Sequence, residues 1–277
     1  MSGLLDTLRR EIRAAASDDP PGIALAALSR IAAVHGIGLR TAECESLAIG
    51  VVPERYRRNL GCLGMDGQCQ LLQSCVAVMG AGGLGGFVIE GLARLGIGRL
   101  TVIDHDSFVE SNLNRQLGAA EADLGRRKAE VICERVSRIN RAVETTARIE
   151  RLDGDNAAEL LQGAQVAVDA LDNVPDRLVL AHAARGLGIP LVHGAVAGMT
   201  GQVMTLSPES DALDRLYGQT GGLCQGGEAQ AGTLVAAPML VAAWQIAQVV
   251  QLLLLNAPDS ALRMFDLEQG DCLTLAL

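Results

Sequence analysis

The stretch "VMGAGGLGGFVIEGLARLGIGRLTVIDHD", residues 78–106, determines the predicted fold. A short apolar run leads into a cluster of glycines, a helix-like segment follows, and a second apolar run ends at Asp104. A strand, a helix and a second strand within about thirty residues form a βαβ unit. The sequence therefore predicts an α/β protein built on a doubly wound, Rossmann-like and mostly parallel sheet.

Apolar runs and helix-like stretches continue to alternate after this unit. Hydrophobic residues make up 49% of the chain and aromatic residues only 2%, which is typical of a parallel sheet covered by helices. After residue 201 we predict a strand in "GQVMTLSP", a glycine-rich loop at 209–232, a long apolar helix and a C-terminal β-hairpin. Before it, the predicted strands are 144–149, 165–170 and 190–194, and the predicted helices are 128–140, 155–161 and 177–187.

The first 50 residues have a different pattern. Apolar stripes predict a helix near the start and a second one from Ile23 to Val34, and Thr41 is a candidate cap for a third. We therefore divide the chain into an N-terminal helical appendage, residues 1–50, and a nucleotide-binding domain, residues 51–277. The appendage is either a recognition module or a cap that covers an interface, and the sequence does not indicate which.

The glycines of the quoted stretch predict a phosphate-binding turn. Gly80, Gly82 and Gly85 match the pattern G-x-G-x-x-G, and Gly83 removes one more side chain from the loop. Such a turn lets phosphates approach backbone amides at a helix N-terminus. Asp104 follows at the end of the next strand, where a carboxylate accepts hydrogen bonds from ribose hydroxyls. These features fit NAD and ATP equally, and a tight turn without a ligand is the alternative.

The segments that follow favour ATP. Asn112 and Arg115 come directly after the second strand, and Lys128 opens the next helix. Hydride transfer leaves phosphates untouched, whereas breaking a triphosphate requires cations where charge develops. Asp172 follows the fourth strand at the same edge of the sheet and can hold Mg²⁺, although it could instead cap the next helix. Each cation alone is more often a solvated side chain, so the prediction depends on their combination.

Composition limits the partners and the compartment. The net charge of −9 disfavours a nucleic-acid partner. None of the seven cysteines forms a C-x-x-C pair, so we expect no zinc site, and the charged N-terminal sequence favours a cytoplasmic protein. Residues 229–258 are uncharged and long enough to cross a bilayer. Because they contain Gln245, Gln248 and Pro238, we expect a buried helix in the core or in a subunit interface, and no membrane association.

Five motifs in combination resemble the MoeB/ThiF/HesA family, whose members are related to ubiquitin-activating enzymes. The motifs are "RYRRN" (55–59), "GAGGLG" (80–85), "DHDSFVESNLNRQ" (104–116), "GRRKAEV" (125–131) and "DALDNVPDR" (169–177). The resemblance covers residues 53–277. It implies a homodimeric adenylyltransferase that uses Mg-ATP to adenylate the C-terminal glycine carboxylate of a small ubiquitin-like sulfur-carrier protein, as in molybdopterin or thiamin-type cofactor synthesis.

The resemblance also implies roles for individual residues. Gly83 would approach the phosphates, Asp104 would bind the ribose, and Asp172 would hold Mg²⁺. A terminal carboxylate is already ionised at neutral pH, so the reaction needs no general base, and we expect structural roles for the histidines and for Asp169. The remaining implied contacts are those of Asn112, Arg115 and Lys128 with the phosphates, and that of Arg58 with the ATP of the other subunit.

The chain also departs from the family pattern. The paired C-x-x-C motifs that bind zinc in many members are absent, and no sulfur-transferring domain follows, so we expect no zinc and a separate sulfur donor. Cys224 lies in the glycine-rich loop and is either a sulfur-transfer residue or a small loop residue. The alternative functions are carboxylate activation on tRNA or on a peptide, an NAD-binding oxidoreductase, and an inactive scaffold.

Overall fold

The N-terminal segment folds into three helices that share an apolar cluster. In the computed structural model, which describes residues 2–17, 20–218, 231–255 and 260–276, these are α1 (Ser2–Ala15), α2 (Leu25–Val34) and α3 (Leu39–Ala48). Leu8, Ile12 and Leu28 are among the residues buried between them. The two-residue strands β1 (Gly22–Ile23) and β2 (Val52–Pro53) pair in parallel and bring the two ends of the segment together.

Two of the helix boundaries differ from the prediction. The second helix begins at Leu25 rather than at Ile23, because Ile23 pairs with Pro53 in the short strand pair. The third begins at Leu39 after Gly38, so Thr41 lies inside the helix and does not cap it.

An eight-stranded sheet forms the centre of the protein. Its order is β10-β9-β8-β7-β6-β3-β4-β5. The five strands from β7 to β5 pair in parallel, and the remaining pairs are antiparallel. This confirms the predicted mostly parallel, doubly wound sheet and the C-terminal hairpin. The strands are β3 (Cys75–Met79), β4 (Arg99–Ile103), β5 (Glu144–Arg148), β6 (Val166–Asp169), β7 (Leu191–Ala197), β8 (Thr200–Leu206), β9 (Leu262–Asp266) and β10 (Asp271–Leu275).

Seven further helices lie around the sheet in the described part of the chain. One falls inside the predicted glycine-rich loop, at 212–217, so that prediction was wrong there; residues 219–230, including Cys224, lie outside the described residues. The helices are α4 (Leu60–Gln73), α5 (Gly83–Leu95), α6 (Lys128–Ile139), α7 (Ala157–Leu160), α8 (Val174–Leu187), α9 (Ala212–Tyr217) and α10 (Ala236–Leu255).

The uncharged helix α10 packs in the core. It contacts α5 and strands β7 and β8, and a side chain at Gly91 of α5 would overlap Ile246. Two of its glutamines are buried and bonded to the sheet: Gln245 Nε2 donates to the carbonyl oxygen of Asp169 at 2.8 Å, and Gln248 accepts from Thr205 at 2.8 Å. By length and hydropathy alone α10 could cross a membrane, but here these contacts give it the buried position predicted from its glutamines.

The sheet has a topological switch point between β3 and β6. The chain leaves β3 towards β4 on one side and β6 towards β7 on the other. In open α/β sheets, ligands bind at the carboxyl ends of the strands at such a point. The glycine turn after β3 and the loop after β6 meet there. Their backbones lie so close that a Cβ at Gly80 would be 2.5 Å from the Ala170 carbonyl oxygen.

Candidate nucleotide-binding and adenylation site

The glycine turn depends on close backbone packing. Gly80 has a φ of +98°, and its N–H donates to the Ile103 carbonyl at 2.8 Å. A Cβ at Gly85 would overlap the Gly80 carbonyl oxygen, so α5 can begin directly against the turn only with glycine there. The first N–H groups of a helix have no partner within it. The start of α5 at Gly82 and Gly83 therefore offers donors to an anion in the adjoining cleft.

The cleft at the switch point brings most of the predicted site residues together. It is open to solvent and is lined by backbone glycines together with charged side chains, a combination typical of small-molecule sites. Gly85 instead packs beneath the turn. The predicted residues that line the cleft are Gly80, Gly82, Gly83, Asp104, Arg115, Lys128 and Asp172.

Asp104 is fixed at the end of β4. Its Oδ2 accepts from the Ala81 N–H at 2.7 Å, and its Oδ1 accepts from the Asp106 N–H at 2.8 Å. Burial raises the pKa of Asp104, while the charge of Lys128 and the two backbone N–H groups act in the opposite direction. Each carboxylate oxygen has a second lone pair, so Asp104 can still accept hydrogen bonds from ribose hydroxyls.

Lys128 is held by a carboxylate that the sequence analysis did not single out. Its side chain is 8% exposed, and its Nζ lies 3.0 Å from Asp106 Oδ2. Burial would raise the pKa of Asp106, but the Lys128 hydrogen bond and charge hold it below its ordinary value. Asp104, His105 and Asp106 place possible metal ligands within 4.8 Å of one another. Lys128 is hydrogen-bonded to one of the two carboxylates, Asp106, so a cation bound by all three residues would compete with the Lys128 ammonium.

Arg115 and Gln116 border the glycine turn. The Arg115 side chain runs past Gly83, and its Nη1 donates to the Ser111 carbonyl oxygen at 2.9 Å. Gln116 is 7% exposed and lies beside Gly82, and its Oε1 has no hydrogen-bond partner among the described residues. An unpaired buried polar atom is costly, and Gln116 lines the cleft, so it is a candidate ligand contact to which sequence reasoning gave no role. The sequence feature that could have identified Gln116 is its position directly after Arg115, which was predicted to contact the phosphates.

Asn112 occupies a different environment from its neighbours. Its Oδ1 accepts from the Val109 N–H at 3.1 Å and closes the short 3₁₀ turn Glu110–Asn112. It is buried and is not among the residues that line the cleft. Its contact with phosphate therefore remains a prediction.

Asp172 is exposed at the cleft, and the neighbouring asparagine caps α8. Asn173 accepts from the Asp176 N–H at 2.9 Å and donates to Asp172 Oδ1 at 3.3 Å. The alternative that Asp172 caps this helix is thus wrong. One exposed carboxylate beside a phosphate site suits Mg²⁺, which prefers one or two carboxylates together with phosphate oxygens.

A buried polar network supports the loop that carries Asp172. Asp169 Oδ2 lies 2.7 Å from His193 Nδ1 and 3.2 Å from Arg177 Nη1. Arg177 also donates to the carbonyl oxygens of Gly194, at 2.6 Å, and of Leu171. Burial would raise the pKa of Asp169, but the charge of Arg177 and the contact with His193 hold it low. Asp169 and His193 have the structural role expected for them, and Arg177 was missed.

Arg58 lies away from the cleft of its own chain. It is exposed in the turn between a short 3₁₀ segment, Glu54–Tyr56, and α4. Within the described residues it forms no hydrogen bond or ion pair, and it is not among the cleft-lining residues. Its contact with the ATP of another subunit remains a prediction.

Comparisons with known proteins agree with this arrangement. The SAMP-activating enzyme E1 of Haloferax volcanii is 41% identical over 166 residues, which are 59% of this chain and 62% of that protein, so the match spans less than two thirds of its length. The molybdopterin-synthase adenylyltransferase of Salmonella typhimurium is 32% identical over 206 residues, which are 72% of this chain and 81% of that protein.

A solved structure and a family model extend the comparison. The E. coli tRNA N6-threonylcarbamoyladenosine dehydratase in complex with AMP has the same fold, with a TM-score of 0.63 and 23% identity over 73% of this chain and 95% of that chain. The model of the ThiF family matches residues 56–273, which include the glycine turn and every residue that lines the cleft. The chain therefore belongs to the ThiF family.

Proposed function

We propose that this protein is an adenylyltransferase that activates the C-terminal glycine carboxylate of a small ubiquitin-like sulfur carrier with Mg-ATP. The observation that carries the proposal is the grouping of Arg115, Lys128 and Asp172 around the glycine turn in one cleft. The names of its ThiF-family relatives support the same reaction. An NAD-binding oxidoreductase would use the glycine turn and Asp104, but its reaction would not require Arg115, Lys128 or Asp172.

For this reaction the residues of the cleft must position the carboxylate against the triphosphate and neutralise the phosphate charge. The carboxylate oxygen attacks the α-phosphorus, the bond to the bridging oxygen breaks, and pyrophosphate leaves with that electron pair. Carboxylate and triphosphate repel each other, so donors and cations aimed at the phosphates supply most of the rate enhancement. Arg115, Lys128 and the N-terminus of α5 do this here. Asp172 would hold Mg²⁺, which neutralises further phosphate charge when it is bound.

Binding of the triphosphate would require an exchange at Lys128. In the free protein the ammonium is held by Asp106 at 3.0 Å. Half of the Asp106 side chain is exposed, so water can take over its solvation when Lys128 turns to a phosphate oxygen. The ion pair thus keeps the Lys128 side chain at the cleft before the nucleotide arrives.

We propose a homodimer in which Arg58 reaches the nucleotide of the partner subunit. The support is that Arg58 is exposed, lies outside its own cleft and has no bond within the described residues. The buried face of α10 belongs to the core of its own chain, so this helix offers an interface only its exposed residues, which include Met239 and Leu255.

The second candidate is carboxylate activation on tRNA, because a tRNA-modifying enzyme shares the fold. The net charge of −9 favours a protein carrier over RNA. The proposal includes a separate sulfur donor, a cytoplasmic location, and a molybdopterin or thiamin-type pathway. It is tested by ATP–pyrophosphate exchange with candidate sulfur carriers and with tRNA added in turn. Exchange that requires a carrier with an intact terminal glycine supports the proposal, and exchange that only tRNA stimulates contradicts it.

A further inference from the structure

The turn that carries Arg58 is fixed on both sides by buried polar side chains. We call residues 54–59 the Arg58 turn. Before Arg58, Tyr56 is completely buried. After it, Asn59 donates from Nδ2 to Gln68 Oε1 at 2.9 Å, and Gln68 donates to the Leu95 carbonyl oxygen at 2.8 Å. The Asn59 N–H also donates to the Tyr56 carbonyl oxygen at 2.8 Å. The backbone at Arg58 is therefore held although its side chain is free.

A buried carboxylate from the appendage completes this support. Glu43 lies on α3, outside the residues that match the family model, and its side chain is 0% exposed. Its Oε2 accepts from the Tyr56 hydroxyl at 3.0 Å, and its Oε1 lies 3.5 Å from Arg55 Nε. Glu43 thus contacts two of the three residues that precede Arg58.

The same cluster connects the Arg58 turn to the nucleotide-binding helix. Asn140 donates from Nδ2 to the Tyr56 hydroxyl at 2.8 Å and to the Ala93 carbonyl oxygen of α5 at 3.1 Å, and its Oδ1 accepts from Arg55. Gly96, at the end of α5, has a φ of +84°, and a Cβ there would lie 2.7 Å from the Tyr56 ring. The cluster therefore ties the Arg58 turn to the C-terminal part of α5, so that the turn is held on the body of the nucleotide-binding domain from which Arg58 would reach a partner subunit.

We propose that Glu43 is a positioning residue for Arg58, so that the appendage is part of the adenylation machinery; this rests on the proposed function. Removing a buried acceptor leaves its partners unsatisfied and lets them rearrange. Without Glu43, the Tyr56 hydroxyl and the Arg55 guanidinium lose their shared anchor, and the Arg58 turn loosens. Arg58 itself touches neither Glu43 nor its own cleft, so the effect is transmitted through the backbone.

The test is a double-mutant cycle in ATP–pyrophosphate exchange with the full-length protein and its carrier. Glu43→Ala is expected to lower kcat about ten-fold and to change the KM for ATP less than about two-fold, because displacing a charge-stabilising group by an ångström reduces turnover strongly. In an Arg58→Ala background, Glu43→Ala should cost nothing further, since coupled residues are not additive. Glu43→Gln keeps an acceptor for Tyr56 and should recover most of the activity.

The matched control is Glu45→Ala on the same helix. Glu45 pairs with Arg9 at 2.7 Å and contacts none of the residues of the Arg58 turn, so its loss should leave kcat unchanged. If Glu43→Ala does not fold, Tyr56→Phe breaks the same link while keeping the ring, and the same non-additivity is expected.

The possible outcomes separate the two proposals. Full activity of folded Glu43→Ala, or of Tyr56→Phe where that variant replaces it, overturns the inference, and so do additive losses in the double mutant. If Arg58→Ala is itself fully active, the shared-site part of the proposed function fails, and the positioning role fails with it. If Arg58→Ala is impaired and the Glu43 variants are not, only the inference on Glu43 is wrong.

Discussion

Replacing Lys128 with methionine is expected to lower kcat strongly and the thermal stability only slightly. Methionine keeps an apolar stem in the buried position and removes the ammonium. The Asp106 side chain of the ion pair is 52% exposed, so water screens the pair and its loss costs at most about 1 kcal/mol of folding free energy. For a chain of this size, 1 kcal/mol corresponds to a fall in Tm of about 2–4 °C. A small drop in Tm is therefore expected.

The expected loss in turnover is much larger. Lys128 is placed to stabilise charge on the reacting phosphates, and removing one preorganised donor of this kind lowers kcat by about 10²–10³, equivalent to about 2.7–4 kcal/mol. The assay compares pyrophosphate release at saturating ATP and carrier with thermal denaturation of the same samples.

Asp106→Asn is the matched control, because it removes the same ion pair and keeps the ammonium. It should lower Tm at least as much as Lys128→Met does, because the Lys128 side chain is 8% exposed and its ammonium keeps only the neutral Asn oxygen as a partner, while kcat should stay within about three-fold of the parent. If Asp106→Asn lowers kcat as much as Lys128→Met does, Lys128 acts only through the ion pair. Retention of kcat in Lys128→Met would refute its role at the phosphates altogether.

Three further predictions concern the nucleotide, the subunits and the cysteines. Calorimetry should detect binding of Mg-ATP, and micromolar NAD binding without ATP binding would contradict the assignment. Arg58→Ala and Asp172→Ala subunits should regain activity on mixing, approaching half of the parent value per heterodimer; demonstrated exchange without recovery would exclude a shared site. At pH 8, alkylation should modify the exposed Cys62 well before Cys44, because burial raises the pKa of Cys44 to about 12 and only the thiolate reacts. Equal rates would show that Cys44 is exposed and ionised.

The glycine turn and the cleft could be predicted because local pattern and topology agree there. Gly80, Gly82 and Gly83 follow one strand and Asp172 follows another. The carboxyl ends of parallel strands meet at one edge of a sheet, whatever the loops do in detail. Residues tied directly to strand ends were therefore brought together as expected.

The conformation of a short turn could not be predicted. Asn112 and Gln116 are two amides in one motif, and the sequence does not indicate which of them faces the cleft. The 3₁₀ turn Glu110–Asn112 directs the side-chain Oδ1 of Asn112 to the Val109 N–H. Gln116 then lies beside Gly82 with an unpaired Oε1. Which amide side chain faces the cleft depends on the geometry of this turn, and the sequence contains no periodic pattern that would predict it.

Helix α4 and the buried cluster of Glu43, Arg55, Tyr56 and Asn140 form through contacts between residues that are distant in sequence. The α4 segment contains Gly61, Gly64 and Gly67, which lower its helix propensity, and Gly64 kinks it with a φ of +66°. Its second half is stabilised by burying Leu71 and Leu72. Glu43 acquires its role from partners in other elements, which no local pattern reveals.

Adenylation of a carrier carboxylate in this cleft can be detected by intact-mass spectrometry of the carrier. Each candidate carrier is incubated with the protein and Mg-ATP, with pyrophosphatase present to remove the pyrophosphate product. We expect a carrier species heavier by one adenylyl group, absent with the Asp172→Ala variant and absent when the carrier lacks its terminal glycine. ATP consumption with every candidate carrier left unmodified, or an adenylyl group found on tRNA instead, would contradict it.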